Sequence, residues 1–303
     1  MAEAADRLGK HEGWCLPLIE RILVQLLVAL AAGLSVQLTW AQGSAGPYVP
    51  TPTRIVERLL EFAEVKRDDY LIDLGSGDGR IVITAAKKYG ARGHGIDIQD
   101  KLVELATRNA LIEHVEDRVR FVRGDLFDAD LSRASLVTLY LLPNTITKLV
   151  SKILKELGPG ARVVSHDYPL APWKPERYAT FDFEEKRTIS GTTLTVFFLY
   201  IVPARLQGVW ELNLPELHAS SGKVRMEVTQ RPDQLAGNVD IGGENVMLRD
   251  FTVKGEDVQF TLALRGMRTL ELRGKAKEGE IEGVVETTSG VKRWSARRIS
   301  AAH

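Results

Sequence analysis

The sequence predicts an α/β protein: a doubly wound, mostly parallel seven-stranded sheet followed by a C-terminal all-β barrel-like domain. Three observations carry this expectation. Short apolar runs alternate with amphipathic helical stretches from Thr53 to His166, the pattern of parallel strands covered by helices on both faces. A turn holding Gly75, Gly77 and Gly79 joins the first apolar run to the helix after it. Beyond Pro203 helical periodicity stops, and short alternating runs recur between glycine-bearing turns, as in a small barrel or sandwich.

Composition sets the outer limits. The 303 residues are 44% hydrophobic and 26% charged, with 40 basic and 40 acidic side chains. Such a chain is too apolar and too balanced for a disordered one, and long enough for two cores. A sequence pI of about 7.0 disfavours a nucleic-acid partner, since such domains have pI values above roughly 9. The single cysteine, Cys15, excludes a disulfide framework and a cysteine metal cluster.

Taken in order, the first element is the apolar run 22–38, within a stretch that has no charge between Arg21 and Arg54. It reaches the short edge of the roughly 17–25 residues that cross a bilayer. Thr39-Trp40-Ala41 follows with small residues at the two key positions of an export cleavage site. Residues 1–41 are therefore expected to be a signal peptide or membrane anchor, with membrane association through 22–38 and a membrane-anchored or exported protein. Charges of both signs before the run leave the orientation open.

Residues 42–53 carry three prolines and read as a linker, with Thr51 as helix N-cap and Pro52 at the first helical position. Ile55, Val56, Leu59, Leu60, Phe62 and Ala63 then recur at helical spacing. Strands are expected at Tyr70–Leu74, Gly93–Ile98, Val119–Val122, Ser135–Leu142 and Arg162–His166, and helices at Arg80–Tyr89, Lys101–Ala110 and Thr145–Leu157. Tyr178–Arg187 and Thr192–Val202 read as an antiparallel hairpin turning at Ser190-Gly191. Residues 42–203 thus form one domain and 204–303 a small all-β domain. In the latter, strands are expected at Val209–Leu214, Lys223–Thr229, Val246–Val253, Val258–Leu264, Thr269–Lys275, Glu280–Glu286 and Lys292–Ile299. Ser221-Gly222, Gly242-Gly243, Gly255, Arg265-Gly266, Gly279 and Ser289-Gly290 are its turns.

The chemistry is concentrated in Asp73-Leu74-Gly75-Ser76-Gly77-Asp78-Gly79. Glycines let a ligand approach the backbone and permit positive φ, and the helix start presents free N–H groups. A dinucleotide turn has the spacing Gly-x-Gly-x-x-Gly. Here the third glycine comes one residue early, and Asp73 stands two residues before the first. A carboxylate there repels a pyrophosphate but suits the ammonium and sulfonium of S-adenosylmethionine. Asp97, ending the next strand, is placed to accept from both ribose hydroxyls. Asp125 is placed to accept from the adenine amino group, with Leu126 packed on the ring.

These residues resemble the class I S-adenosylmethionine-dependent methyltransferases, whose first signature is similar to Asp73–Gly79. A narrower resemblance spans about residues 47–175. It is carried by Pro47-Tyr48-Val49-Pro50-Thr51-Pro52, Asp73–Ile83, Gly124-Asp125-Leu126-Phe127, Val137–Pro143 and Val163–Asp167. These are similar to a family of small methyltransferases whose mitochondrial members methylate lysines of the ATP synthase c-ring protein and the ADP/ATP carrier. The resemblance implies a Rossmann-like fold, cofactor contacts at Asp73, Gly75, Ser76, Gly77, Gly79, Asp97, Asp125 and Leu126, and a protein lysine or small-molecule methyl acceptor. It does not reach residues 204–303.

Methyl transfer from a sulfonium needs alignment of a nucleophile and exclusion of water, with no metal required. The segment after the fourth strand reads either as the acceptor site, with backbone carbonyls of Leu141 and Leu142 orienting the nitrogen and Tyr140 walling the pocket, or as an ordinary strand end whose Pro143-Asn144 starts the next helix. His166 and Asp167 read either as substrate contacts or as a structural pair. Tyr48 and Thr51 read either as a cover over the cofactor or as a tether. Gly208-Val209-Trp210 and Trp294-Ser295-Ala296-Arg297 are similar to the ends of small lipocalin-like barrels, while tryptophan more often plugs a core. Two other functions compete: a dinucleotide-dependent oxidoreductase, and a non-catalytic protein that binds a ligand or partner through its β domain.

Overall fold

In the computed structural model, the described residues are 48–215, 224–264 and 269–300. The apolar run 22–38, the Thr39-Trp40-Ala41 site, Cys15 and the turns at Ser221-Gly222 and Arg265-Gly266 lie outside them. Among the described residues no helix is long and apolar enough to cross a membrane.

The chain opens with helix α1 (Thr53–Phe62), then strand β1 (Tyr70–Leu74), α2 (Arg80–Tyr89), β2 (Arg92–Asp97), α3 (Asp100–Ile112), β3 (Val119–Arg123), β4 (Leu136–Leu139), α4 (Pro143–Glu156) and β5 (Arg162–His166). β6 (Arg177–Asp182), α5 (Glu184–Ser190) and β7 (Leu194–Ile201) complete the first sheet. Its order is β3-β2-β1-β4-β5-β7-β6, with β7 antiparallel to both neighbours and the other pairings parallel. The order reverses between β1 and β4. At such a switch point, the crevice beyond the strand C-termini is where open α/β sheets bind ligands.

The apolar stripe read from α1 is real: Ile55, Val56, Leu59 and Leu60 are buried, in one cluster with Leu71 of β1, Ile81, Val82 and Ala85 of α2, and Phe197 and Leu199 of β7. Its start differs from expectation. Pro52, not Thr51, occupies the N-cap position, and its carbonyl accepts from Ile55 and Val56. The 178–202 segment also differs. Strands pair from Asp182↔Leu194 to Arg177↔Leu199, but 184–190 coil into α5 where a strand extension was expected. Glu184 and Glu185 in the first turn favour this helix end, and Gly191 stops it in the left-handed region at φ 76°. β4 is shorter than expected and ends at Leu139, so residues 140–142 leave the sheet.

The C-terminal sheet has nine antiparallel strands: β8 (Gly208–Asn213), β9 (Val224–Arg231), β10 (Gln234–Ile241), β11 (Glu244–Met247), β12 (Arg249–Lys254), β13 (Asp257–Leu262), β14 (Leu270–Lys277), β15 (Glu280–Thr287) and β16 (Gly290–Ser300). β16 pairs back onto β8, and Leu248 N–H donates to the Gly237 carbonyl where β11 passes into β12, so the sheet nearly closes. Closing removes exposed strand edges. β10 was missed because its central Gly237 breaks the apolar alternation. The glycine sits in close packing: a Cβ would lie 2.7 Å from the end of the Leu248 side chain and 3.0 Å from the Glu227 carbonyl. The expected strand 246–253 is two strands. Trp210, Trp294, Met226 and Phe260 fill the interior as core residues, so the inside of the barrel is packed protein.

Residues Tyr48–His303 form one compact unit. The barrel attaches at the N-terminal edge of the first sheet. Arg205 donates to the carbonyls of Leu154, Lys155 and Leu157 at the C-terminal end of α4. Ala204 N–H donates to the Gly255 carbonyl, and Lys254 pairs with Glu176 at 2.5 Å. The C-terminal strand edge, which carries Asp73 and Asp97, is the opposite one.

Candidate active site

β1 delivers Asp73 to the C-terminal edge, and the turn behind it is built from left-handed glycines, with φ of 79°, 54° and 81° at Gly75, Gly77 and Gly79. The turn is tied to β2 by the N–H groups of Gly75 and Ser76, both donating to the Ile96 carbonyl. Asp97 closes it from the other side: Oδ2 accepts from Gly77 N–H and Oδ1 from Gln99 N–H, both at 3.0 Å. A carboxylate has about four lone-pair sites, so Asp97 keeps capacity for ribose hydroxyls.

Asp73 is 2% exposed, and its Oδ1 accepts a 2.6 Å hydrogen bond from Thr138 Oγ1 of β4. Burial pushes its carboxyl up to about 7; Thr138 opposes the rise, and the negative charges of Asp97 and Asp78 add to it. This is a buried acid beside two other carboxylates, a place where a bound cation would stabilise the ionised form. It is a poor place for a pyrophosphate. Thr138 was not singled out from sequence, since a threonine inside an apolar strand carries no motif.

Tyr48 and Thr51 cover the turn. A Cβ on Gly77 would lie 2.5 Å from the Tyr48 ring, so the ring sits directly against that glycine. Arg80, in the first turn of α2, holds the strap: Nη1 donates to the Thr51 carbonyl at 2.5 Å, and Nε and Nη2 grip Asp78 at 2.8 and 2.5 Å. Sequence reading missed Arg80, which there is one more surface cation on a helix.

The remaining expected residues collect on the same edge. Leu126 is buried, while Asp125 is exposed and its Oδ1 accepts from Phe127 N–H at 2.8 Å, bracing its own turn. Beyond β4, Leu141 is buried with its side chain against Gly75; a Cβ there would lie 2.8 Å from Leu141 Cδ2. Leu142 is 46% exposed. The Tyr140 ring stacks on His166 with centroids 4.0 Å apart. Burial, then the charge of Asp167 and a side-chain hydrogen bond to it, raise the Tyr140 phenol to about 12. His166 is held neutral, with burial lowering it to about 4. Its Nε2 lies 3.6 Å from Asp167 Oδ1, beyond hydrogen-bond reach, and both ring nitrogens lack a partner among the described residues. The glycine turn, residues 140–142 and the His166–Asp167 pair are thus brought to one edge.

An ANTKMT methyltransferase domain matches residues 73–177, which span the glycine turn, the 140–142 segment and the β5 turn. The protein-lysine N-methyltransferase of Saccharolobus islandicus (strain REY15A) is 45% identical over 157 residues, 52% of this chain and 93% of that enzyme. The adenine nucleotide translocase lysine N-methyltransferase of Mus musculus is 38% identical over 130 residues, 43% of this chain. The matched region spans 56% of the Mus musculus enzyme's length. Among solved structures, one described as an RNA methyltransferase from Salinibacter ruber in complex with S-adenosyl-L-homocysteine is 47% identical. That alignment covers 52% of this chain and 96% of the solved one, with a TM-score of 0.47. Identity at that level across almost the whole Saccharolobus enzyme, with the domain match falling on the glycine turn and its surrounding strands, shows that the chain belongs to the protein-lysine N-methyltransferase family and is an S-adenosylmethionine-dependent methyltransferase.

Proposed function

We propose that the enzyme methylates the side-chain amine of a lysine in a protein, with the acceptor held beside residues 140–142. The observation that carries this reading is the seating of Leu141 against Gly75. It sets residues 140–142 against the glycine turn, which supports reading them as the acceptor segment. The names of the Saccharolobus and Mus relatives support lysine as the acceptor.

In this reading S-adenosylmethionine supplies a methyl group already activated by the sulfonium charge. The Asp73 carboxylate, steadied by Thr138, meets the cationic amino-acid end. Asp97 takes the ribose hydroxyls, Gly75, Ser76, Gly77 and Gly79 let the ligand approach the backbone, and Asp125 with Leu126 flanks the adenine. Backbone carbonyls of Leu141 and Leu142 orient the acceptor amine, and Tyr140 walls its pocket. The lysine reaches the site as an ammonium and gives one proton to water. To the neutral amine held there, bound S-adenosylmethionine would supply its methyl group, with S-adenosylhomocysteine as the other product. Alignment and exclusion of water supply most of the acceleration.

The test uses the full chain, methyl-labelled S-adenosylmethionine and a heat-treated protein extract as acceptor. Label recovered as methyl-lysine after acid hydrolysis is the expected result. Label confined to an RNA fraction assayed in parallel, or no label, would overturn the lysine reading.

The apolar run 22–38 supports a further part of the proposal: the chain is anchored in a membrane with its enzyme domain on the cytosolic side, where the methyl donor is made. Carbonate-resistant sedimentation of the tagged chain with membranes is expected. Recovery in the soluble fraction would contradict it.

A further inference from the structure

Lys186 is only 3% exposed, a rare location for a lysine unless it is paired. It projects from α5, the helix that the sequence placed in a strand. Its Nζ donates to Asp167 Oδ2 at 2.6 Å and to the Leu194 carbonyl at 2.5 Å. Asp167 itself stands at φ 63°, in the left-handed region uncommon outside glycine. It is fixed there by β7: its N–H donates to the Val196 carbonyl at 2.7 Å, and its Oδ1 accepts from Val196 N–H at 3.2 Å. The titratable groups against this carboxylate are Tyr140 from the end of β4, His166 from β5 and Lys186 from α5, with Tyr168 acting on Tyr140. From β7 the contacts to the pair are the Val196 N–H and carbonyl and the Leu194 carbonyl. Lys186 is therefore the one cation on Asp167 among the described residues.

Asp167 meets both members of the Tyr140–His166 stack: a side-chain hydrogen bond joins it to Tyr140, and its Oδ1 lies 3.6 Å from His166 Nε2, next to the residues read as the acceptor site. An unpaired carboxylate there would stabilise a substrate ammonium, the protonated form that has no lone pair to attack with. We infer that Lys186 is a positioning residue that neutralises Asp167 next to the acceptor amine, so that the site favours the neutral, nucleophilic form of the substrate lysine. This rests on the reading of 140–142 as the acceptor site. It adds a residue that acts through Asp167, without touching substrate. The methyl transfer is unchanged in its balance; only the pH at which the bound amine loses its proton is set by the pair.

The experiment compares the full chain with Lys186→Met, Lys186→Arg and the double variant Asp167→Asn/Lys186→Met, using labelled S-adenosylmethionine and the heat-treated extract from pH 6.5 to 9.5. In Lys186→Met the rising limb of the rate profile should move up by about one pH unit, because a nearby opposite charge shifts a pKa by roughly 1–3 units. At pH 7 its rate should fall about 10-fold while half-saturation by extract comes at lower concentration. Lys186→Arg should restore the limb, and so should the double variant, which buries no charge. S-adenosylmethionine affinity by calorimetry should be the same in all four.

A limb that stays in place in Lys186→Met overturns the inference. So does a uniform loss of rate and cofactor affinity, the mark of a merely structural role. Should Lys186→Met not fold, the double variant decides alone: a wild-type limb supports the inference, and a displaced one overturns it. Absence of methyl-lysine from the wild-type reaction instead removes the lysine reading itself, a different failure.

Discussion

Asp73 combines full burial with a neighbourhood of negative charge, and two expected outcomes follow at the level of this residue. Its carboxyl is raised from the ordinary 3.8 to about 7, so between those values the folded chain binds more protons than the unfolded one. The linkage sign is then fixed: Asp73 is harmless below pH 4 and lowers stability progressively as pH rises from about 4 to 7. Asp73→Asn should therefore raise the melting temperature at pH 8, by the equivalent of at most about 4 kcal/mol. It should leave it unchanged near pH 3.5. Thermal melts at both pH values check this. The second outcome concerns Tyr140. Tyr140→Ala should cut turnover sharply while calorimetry shows unchanged cofactor binding; unchanged turnover would remove it from the site.

Among the elements, the strap from Tyr48 to Thr51 and the glycine turn beneath it behave as one piece. Gly77 needs φ 54° and has the Tyr48 ring where a Cβ would go. Gly77→Ala should cost roughly 1–2 kcal/mol from the backbone alone and weaken cofactor binding as the ring is displaced. Arg80→Ala should loosen the strap without altering the turn and weaken S-adenosylmethionine binding by about 10-fold, the loss of one or two charge-assisted hydrogen bonds. Calorimetry on both variants checks this. The turn was legible in the sequence because three glycines and an acid at fixed spacing report directly on backbone geometry. The strap's role was not: Tyr48 and Thr51 read equally as cover or tether until Arg80 was seen to join them. Lys186 was hidden for a similar reason. A lysine in a strand reading points outward, and only the helix at 184–190 turns it onto Asp167.

For the molecule as a whole, the two sheets divide the work by position. The methyltransferase sheet gathers every candidate contact at its C-terminal edge, and the barrel is fixed to the other edge through Arg205, Ala204 and Lys254. Arg205→Ala leaves three helix-end carbonyls of α4 without their donor. It should lower the melting temperature by a few degrees, about 1 kcal/mol or more, with cofactor affinity unchanged. The strand and helix order of the first sheet was readable because each element is apolar at its own period. The barrel was harder. Its strands are short, Gly237 interrupts one of them, and a single residue, Leu248, separates two others.

The most direct test is calorimetric titration of the full chain with S-adenosylmethionine across pH 5.5 to 8.5, alongside Asp73→Asn. A carboxylate that meets a cation should give an affinity that falls about tenfold per pH unit below 7, as Asp73 takes up its proton. The Asn variant should bind about 100-fold more weakly at pH 8 and lose that pH dependence. An Asn variant that binds as tightly as the wild-type chain, or a wild-type affinity flat from pH 5.5 to 8.5, would contradict the placement of the methyl donor on Asp73.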